Sequence, residues 1–480
     1  MNHSSSDRLA VSLRRHLAQL APGTRLPATR ALAAQHGVGP GTVQAALRTL
    51  TAEGRVETRP GDGTFVARQR ATAPEDFSWQ TSALGPSPAG HLHRGTVLVD
   101  GAADAMDLGE GYPDQELYPS ALIRQALTRA ARSEAALTRA PVAGLSSLRR
   151  WFAQDLASRI PAAQPAPGER DVVILPGSQA GLSAIFRAVV GTGNALLVES
   201  PTYWGAMLAA AQVGVRLIPV ASGPHGPDPE AVDAAFASSG AHAFYAQPTF
   251  SNPHGAVWDE PRRAAMLEVA RAHGAFIVED EWARDFALMD TPAPLAAQDP
   301  DGRVVHLRSL TKSVSPALRV AAVTARGPVR DRLVGEIAAQ AMYVSPLLQA
   351  ALLDVVTAAG WPAHLKRLRR ELTQRRDLLL RLLAPAAPAL TVESVPRGGL
   401  HAWVRVDPLV DAAELVARCL ARGVRVRTGE AWFPAEPPAQ FLRVTFAGVS
   451  AQSLPDAAGI LAQEARQLWA ERKETGGIGR

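Results

Sequence analysis

Two stretches, AFIVEDEW at residues 275–282 and VVHLRSLTKS at residues 304–313, decide the fold. Each is a short apolar run that ends in polar residues, which is typical of a strand buried on both faces of a sheet. Similar apolar runs alternate with helical patterns along the chain before and after them. These runs are DVVIL (171–175), ALLVE (195–199), VRLIPV (215–220), AHAFYA (241–246) and VAAVTA (320–325). Such alternation predicts an α/β domain with a mixed, mostly parallel sheet covered by helices.

A smaller α+β domain is predicted after this sheet. From about residue 365 the chain has a long arginine-rich helical pattern, followed by shorter helices and strand-like runs. These runs are LTVESV (390–395), LHAWVRV (400–406), VRVRTG (424–429) and FLRVTF (441–446). The length of 480 residues, with 47% apolar and 20% charged residues, fits a folded protein of several domains.

The first 70 residues have a different pattern, with three helical segments and a hairpin. The first helical segment begins near residue 7, and the next two end near Gly37 and Gly54. Two short strands then flank the strong turn sequence Pro60-Gly61-Asp62-Gly63. Three helices followed by a β-hairpin predict a winged helix-turn-helix.

The positive charge is concentrated in this same region. Residues 1–70 contain ten arginines and four acids, a balance of +6, whereas the whole chain carries +5. The remaining residues therefore sum to −1. A positive module joined to a near-neutral body indicates a polyanionic partner such as nucleic acid. The alternative is a basic surface that only faces solvent, which would give the same charge balance.

Composition excludes several other classes of protein. The single cysteine, Cys419, excludes an internal disulfide framework and cysteine-based metal clusters, and it favours a reducing compartment. The first 20 residues have no apolar signal-peptide core, and no run of about 20 apolar residues predicts a membrane span. We therefore expect a cytoplasmic protein without a metal site.

Residues 23–67 read GTRLPATRALAAQHGVGPGTVQAALRTLTAEGRVETRPGDGTFVA and closely resemble the GntR-family winged helix. The chain has Gly39-Pro40 where that family usually has Ser-Arg before its recognition helix, so one expected DNA contact is missing. A winged helix used for protein contact is the alternative. The resemblance implies that a double-stranded DNA operator is bound by Arg30, Thr42, Gln44, Arg48, Gly63 and Thr64, with the backbone amide of Gly61.

Lysine is rare in this chain, since only Lys312, Lys366 and Lys473 occur among 50 basic residues. Lys312 follows the strand-like run that begins at residue 304. A lysine amine can form a Schiff base with an aldehyde, whereas a guanidinium stays protonated and is a poor nucleophile. Lys312 is therefore a candidate for imine chemistry.

Four other motifs occur at the ends of predicted strands. Each also has a purely structural explanation, such as tight packing, a core aromatic, an Asn-Pro turn or a helix cap. A strand followed by small residues at a helix start can bind an anion, and acids at a strand's carboxyl end lie where α/β sheets bind ligands. The motifs are PGSQA (176–180), ESPTYW (199–204), QPTFSNPHG (247–255) and EDEW (279–282), with Arg319 seven residues after Lys312.

Taken in this order, the motifs resemble the fold-type I aminotransferases, which bind pyridoxal 5′-phosphate, over roughly residues 105–470. The resemblance implies that Lys312 is the Schiff-base lysine, that Asp280 faces the pyridine nitrogen and that Asn252 donates to the phenolic oxygen. It also implies that Tyr203 stacks on the ring and that Arg443 binds a substrate carboxylate. The implied phosphate ligands are Gly177, Ser178, Gln179, Ser309 and Arg319.

Two positions depart from that family's pattern. Trp282 stands where a tyrosine usually reaches the cofactor's phenolic oxygen, and Thr138 stands where a tyrosine often reaches the phosphate across a dimer. Both changes remove a hydroxyl donor on an aromatic ring. We expect them to weaken transamination more than cofactor binding.

The two halves together resemble the MocR (GabR-like) family of bacterial transcriptional regulators. The predicted limits are 1–68 for the DNA-binding domain, 69–104 for a linker and 105–480 for the aminotransferase-like domain. The resemblance implies a cytoplasmic, nucleoid-associated homodimer, arranged head to tail, whose effector is an amine, an amino acid or a B6 vitamer. The alternatives are a functional aminotransferase with an appended DNA-binding domain, and a regulator whose body has lost the cofactor.

Overall fold

The computed structural model describes residues 4–67, 105–162 and 164–476. The chain divides into two compact units, Met1–Gly85 and Pro86–Arg480. The linker predicted for residues 69–104 lies outside the described residues, so the domain limits at 68 and 105 remain predictions.

Residues 4–67 of the first unit form three helices and a two-stranded antiparallel sheet. These elements are α1 (Ser5–Leu17), α2 (Thr29–His36), α3 (Pro40–Ala52), β1 (Val56–Arg59) and β2 (Gly63–Val66). Ser4 caps α1 with its side chain, and Pro40 occupies the first turn of α3, where its missing N–H costs nothing. Gly37 ends α2 in the left-handed region at φ 63°, which a glycine adopts without strain. The predicted winged helix-turn-helix is confirmed, and α1 begins two residues before the predicted residue 7.

The second unit contains a large sheet and a smaller one. Its strands are β3 (Met106–Asp107), β4 (Val172–Leu175), β5 (Ala195–Ser200), β6 (Arg216–Gly223), β7 (Gly226–Pro227), β8 (Ala243–Ala246), β9 (Phe276–Glu281), β10 (Val304–Ser309), β11 (Ala321–Thr324), β12 (Leu390–Val392), β13 (His401–Val406), β14 (Val424–Arg425), β15 (Arg427–Thr428) and β16 (Phe441–Thr445). The large sheet has the order β4-β11-β10-β9-β8-β5-β6-β7, and the small sheet has the order β12-β13-β16-β15.

Helices cover the large sheet and pack against the small one. They are α4 (Ser120–Ala131), α5 (Ser146–Ala157), α6 (Ser178–Val189), α7 (Trp204–Val213), α8 (Pro229–Ser239), α9 (Glu260–Ala272), α10 (Pro328–Ala341), α11 (Pro346–Thr357), α12 (Trp361–Leu383), α13 (Ala412–Ala421) and α14 (Leu454–Gly476). Short 3-10 turns lie at Gln115–Leu117, Glu134–Ala136, Glu169–Asp171, Arg284–Phe286, Leu295–Ala297, Ala384–Ala386 and Glu430–Trp432.

Strand direction in the large sheet determines where the functional residues meet. Strands β5, β8, β9 and β10 pair in parallel, while β11 runs antiparallel to both β10 and β4. The carboxyl ends of β4, β5, β8, β9 and β10 therefore lie at one edge of the sheet, together with the amino end of β11. Open α/β sheets bind their ligands at this edge.

The small sheet and the helices α12 and α14 share a second hydrophobic core, centred on residues such as Leu372, Val404, Leu442 and Leu461. The arginine-rich helix begins at Trp361, four residues earlier than the sequence pattern predicts. The predicted fold class, with a mostly parallel large sheet and a smaller α+β domain, is confirmed.

Candidate functional site

A cavity of about 1090 Å³ lies at the ligand-binding edge of the large sheet. Its lining includes the strand ends of the large sheet, the segment from residue 105 to residue 114, and residues between 425 and 453 in and around the small sheet. This volume is at the upper end of the range for small-molecule and cofactor pockets. Asp280 and Lys312, which lie near the ends of the stretches 275–282 and 304–313, both line the cavity.

Asp280, near the end of β9, is held by two donors on one of its oxygens. Tyr245 Oη and Gln247 Nε2 each donate to Asp280 Oδ2 at 2.8 Å. Asp280 Oδ1 is buried and has no hydrogen-bond partner among the described residues. Burial raises the pKa of Asp280, while the bonds from Tyr245 and Gln247 favour its charged form. The carboxylate therefore keeps one oxygen for a donor within the cavity.

Lys312 follows β10 and lies between two aromatic rings. Its Nζ is 4.3 Å from the Trp282 ring centroid and 5.6 Å from that of Tyr112. Burial, with a further contribution from the positive charge of Arg443, lowers the pKa of Lys312 to about 7, although Asp280 opposes this shift. A large fraction of the amine is therefore neutral and nucleophilic near neutral pH.

Asn252 is fixed by hydrogen bonds at its backbone and its side-chain oxygen. Its backbone N–H donates to Gln247 Oε1 at 2.8 Å, and its Oδ1 accepts from Trp432 Nε1 at 3.0 Å and from Arg443 Nη1 at 3.5 Å. Because Oδ1 is occupied, the side-chain amide presents Nδ2 as the donor for a ligand.

An anion cradle forms where β4 runs into α6. Gly177 has φ 87°, and a Cβ there would lie 2.8 Å from Arg319 Nη2, so the guanidinium packs directly over the glycine. Ser178 is the first residue of α6, Ser309 ends β10 at the same sheet edge, and both line the cavity. A helix N-terminus, a guanidinium and two hydroxyls form a set of donors suited to a phosphate.

Tyr203 and Gln179 are hydrogen-bonded to each other at the cavity wall. Tyr203 Oη donates to Gln179 Oε1 at 3.1 Å, and Gln179 Nε2 donates to the carbonyl oxygen of Gly205 at 2.7 Å. The side chain of Gln179 therefore orients the Tyr203 ring. Its predicted contact with an anion would have to come from its backbone N–H in the first turn of α6.

Arg443 lies on β16 on the small-sheet side of the cavity. Its Nη2 donates to the carbonyl oxygen of Gly109 at 2.7 Å, and its guanidinium lies 4.6 Å from the centroid of Trp432. Arg443 Nε is buried and unpartnered within the described part of the chain. Burial, followed by the charge of Arg427, lowers the pKa of Arg443 to about 10, so the guanidinium still carries its charge at neutral pH.

The two predicted departures lie in different surroundings. Trp282 donates from Nε1 to the carbonyl oxygen of Phe250 at 2.9 Å and stacks on His401 at 5.6 Å and 3°. It therefore presents an immobilised apolar face to Lys312. Thr138 is exposed, bonds only locally to the Glu134 carbonyl, and does not line the cavity within this chain.

The predicted DNA-binding residues are exposed or half-buried on the surface of the first unit. Helix α3 buries Val43 and Leu50 and exposes Gln44 and Arg48 on its other face, and Thr42 is half-buried at its start. Arg30 is exposed in the first turn of α2, and Gly63 and Thr64 begin β2. Two of the unit's acids form ion pairs within the unit, Glu53 with Arg14 and Glu57 with Arg59.

Among the residues that line or support the cavity, four with clear contacts to the predicted site residues were not predicted from the sequence. Tyr245 and Gln247 hold Asp280, Trp432 holds Asn252 and Arg443, and Tyr112 lies beside Lys312. Gln247 stands directly after a predicted strand, so its position could have signalled a role. For Trp432 the sequence contains no comparable signal.

Comparison with known proteins identifies the family. Residues 103–461 match the model of the family described as aminotransferase class I and II. The chain belongs to this family. Residues 5–66 match the model described as bacterial regulatory proteins, gntR family. A GntR-type helix-turn-helix is thus fused to an aminotransferase class I and II domain, and the predicted MocR-type architecture is confirmed.

Two relatives that match most of the chain are named as regulatory proteins. The chain is 28% identical over 413 residues to the probable rhizopine catabolism regulatory protein MocR of Rhizobium meliloti, covering 82% of this chain and 77% of the relative. It is 24% identical over 440 residues to the HTH-type transcriptional regulator YdfD of Bacillus subtilis, covering 90% of each.

Solved structures match the aminotransferase class I and II domain. LysN, an α-aminoadipate aminotransferase from Thermus thermophilus, superposes with a TM-score of 0.72 and 24% identity, covering 81% of this chain and 99% of LysN. This likeness confirms the fold-type I architecture. No helix in the described ranges is both long enough and apolar enough to cross a membrane.

Proposed function

We propose that this GntR-type regulator binds pyridoxal 5′-phosphate in its aminotransferase-like domain and uses it to sense an amine, an amino acid or a B6 vitamer. One observation carries the cofactor assignment: the buried Asp280 Oδ1 has no partner in the described structure and lies in the cavity that Lys312 lines. An unsatisfied buried carboxylate oxygen is costly unless a ligand donor completes it. A pyridinium N–H is such a donor.

The remaining residues fit the other groups of this cofactor. Lys312 would bind its aldehyde, Asn252 Nδ2 would donate to its phenolic oxygen, and Tyr203 would cover one face of its ring. The cradle of Gly177, Ser178, Ser309 and Arg319, with the Gln179 backbone, would bind its phosphate. When bound, the cofactor supplies an aldehyde and an electron-withdrawing ring.

Known relatives support this assignment. The structure of LysN is described as complexed with N-(5′-phosphopyridoxyl)-L-leucine, and the Pyrococcus horikoshii kynurenine aminotransferase structure as complexed with PMP. The MocR relative is named as a regulatory protein, which supports control of transcription as the output.

Arg443 is the proposed anchor for an effector carboxylate, because its charged guanidinium lines the same cavity with Nε unpartnered in the described structure. The proposed regulator is a cytoplasmic homodimer with a head-to-tail arrangement. Leu137, 91% exposed in the single chain and adjacent to Thr138, supports a partner surface there. The effector would act only through different affinities for two arrangements of the dimer.

The proposed DNA binding is tested with a substitution on α3, the proposed recognition helix. Arg48→Ala is expected to weaken binding to an operator fragment by about tenfold to a hundredfold, since a base or phosphate contact from arginine contributes about 1–3 kcal/mol. The matched control is Arg15→Ala, which removes the same charge from an exposed position on α1. Equal losses for both variants, measured by fluorescence anisotropy at one salt concentration, would mean that α3 does not read the operator.

Uptake of the cofactor is expected to depend on pH through Lys312. Because its pKa is lowered to about 7, the neutral amine fraction rises about tenfold between pH 6 and pH 8 and then levels off. The rate of pyridoxal 5′-phosphate uptake, followed by absorbance, should rise and level off in the same way. A rate that keeps rising to pH 9, as for an ordinary lysine, would contradict the lowered pKa.

The second candidate function is an active aminotransferase with a DNA-binding appendage. It is favoured by 27% identity over 352 residues to a 2-aminoadipate transaminase of Thermus thermophilus, and by the presence of Asn252, Asp280 and Lys312 around the cavity. Multiple-turnover transamination between an amino acid and a 2-oxo acid would support it. Conversion limited to one equivalent per subunit would support the sensor, in keeping with the missing hydroxyl at Trp282.

A further inference from the structure

Gln247 joins Asp280 and Asn252, the two groups that would meet the ring nitrogen and the phenolic oxygen of the proposed cofactor. Its Nε2 donates to Asp280 Oδ2 at 2.8 Å, and its Oε1 accepts the Asn252 backbone N–H at 2.8 Å. Both ends of one side-chain amide are therefore used, and the residue is almost completely buried at 3% exposure. Asp280 would meet the ring nitrogen, and Asn252 would meet the phenolic oxygen.

The backbone of Gln247 is itself anchored from the neighbouring strand. Its N–H donates to Glu199 Oε2 at 2.9 Å, and Glu199 Oε1 accepts from Ser222 Oγ at 2.9 Å. Glu199 lies near the end of β5 and is buried. A continuous hydrogen-bonded chain therefore runs from β6 through β5 and Gln247 to Asp280.

The two hydrogen bonds of the Gln247 side-chain amide, to Asp280 and to the Asn252 backbone, have different consequences for the cavity. With Tyr245 and Gln247 both donating to Oδ2, the carboxylate of Asp280 is held in one orientation and Oδ1 is the oxygen left for a ligand. Tyr245 alone would fix a single direction and allow the carboxylate to rotate about its Cβ–Cγ bond. The bond to the Asn252 backbone fixes the start of the Asn-Pro turn, from which Nδ2 reaches the cavity.

We propose that Gln247 is the positioning residue that aligns Asp280 and Asn252 with each other for binding of pyridoxal 5′-phosphate. This inference rests on the cofactor binding proposed above. Gln247 acts through its two neighbours, and its amide suits this role because it offers a donor and an acceptor on one planar group without carrying a charge.

Two variants separate the donor from the acceptor. Gln247→Leu removes both bonds, whereas Gln247→Glu keeps an acceptor for the Asn252 N–H and, when ionised, removes the donor to Asp280. The matched control is Gln349→Leu, since Gln349 is also fully buried and bonds through both ends of its amide to the Leu145 N–H and the Val344 carbonyl, each at 2.8 Å. Gln349 does not line the cavity.

The readouts are the dissociation constant of pyridoxal 5′-phosphate, the pH midpoint of the bound cofactor's visible absorbance, and the melting temperature of each variant without cofactor. We expect Gln247→Leu to raise the dissociation constant by about tenfold and to move the midpoint by about half a pH unit or more. Gln247→Glu should also weaken binding and move the midpoint. Gln349→Leu should lower the melting temperature and leave the midpoint in place.

The proposal is overturned if the wild-type protein takes up the cofactor and Gln247→Leu binds it with the same midpoint and an affinity within about twofold. If Gln247→Leu does not fold, Gln247→Glu, which has nearly the same size as the wild-type residue, replaces it. The dissociation constant and the pH midpoint of that variant then test the proposal. A wild-type protein that takes up no cofactor overturns the proposed function, and this inference with it.

Discussion

Lys312→Arg is expected to abolish covalent binding of pyridoxal 5′-phosphate while leaving the protein folded. The substitution keeps a long basic side chain beside the Tyr112 and Trp282 rings. It removes the primary amine, and a guanidinium, which stays protonated, does not form the imine. The expected change is complete loss of the covalent adduct rather than a partial loss.

The adduct is measured by borohydride reduction followed by mass spectrometry of the intact chain. The matched control is Lys366→Arg, because Lys366 is an exposed lysine on α12. Wild type and Lys366→Arg should each gain the mass of one cofactor per chain, and Lys312→Arg should gain none. An adduct that persists in Lys312→Arg would place the reactive amine elsewhere.

The same site should be coupled to the operator. Operator binding by wild type is expected to change when pyridoxal 5′-phosphate is added, and binding by Lys312→Ala is expected not to change. A ligand shifts a conformational equilibrium only by its differential affinity for the two conformations. We expect that differential affinity to depend on the covalent link to Lys312, so Lys312→Ala should remove the effect of the cofactor on operator binding. Identical operator affinity in all four combinations of protein and cofactor would contradict the sensor.

The sequence predicts the residues at the strand ends well, for a simple physical reason. Buried parallel strands are short apolar runs, and a polar residue at or shortly after the end of such a run lies at the ligand-binding edge of the sheet. Asp280 and Lys312 are found in this way. Arg319 reaches the same edge because β11 runs antiparallel, so the residue before that strand meets residues that follow the others.

Contacts between distant parts of the chain could not be predicted. Trp432 reaches Asn252 across 180 positions because the small sheet packs beside the edge of the large one. A single sequence has periodicity within elements but no information on which side chains meet between them. The side chain of Gln179 illustrates the same limit, since its bonds to Tyr203 and Gly205 depend on how α6 and α7 pack.

Arg443→Leu is expected to remove recognition of an effector carboxylate while retaining cofactor binding. In the wild type the guanidinium is nearly fully buried and backed by Trp432, so a carboxylate that pairs with it is shielded from water. A charge-assisted pair of this kind contributes about 1.5–3 kcal/mol for each bond, and two bonds correspond to about a hundredfold or more in affinity. Losing the bond to the Gly109 carbonyl should also lower stability.

The decisive measurement compares an L-amino acid with its decarboxylated amine as ligands of the cofactor-loaded protein. Wild type should bind the amino acid more tightly, and Arg443→Leu should bind both with similar affinity, because only the amino acid contains the carboxylate. Arg443→Lys keeps the charge without the planar fork and should fall between the two. Arg405→Leu, which removes an exposed arginine from the adjacent strand β13, is the control and should behave like wild type. If Arg443→Leu still prefers the amino acid, the carboxylate is bound by another residue and Arg443 has a structural role, holding Gly109 and Asn252 in place.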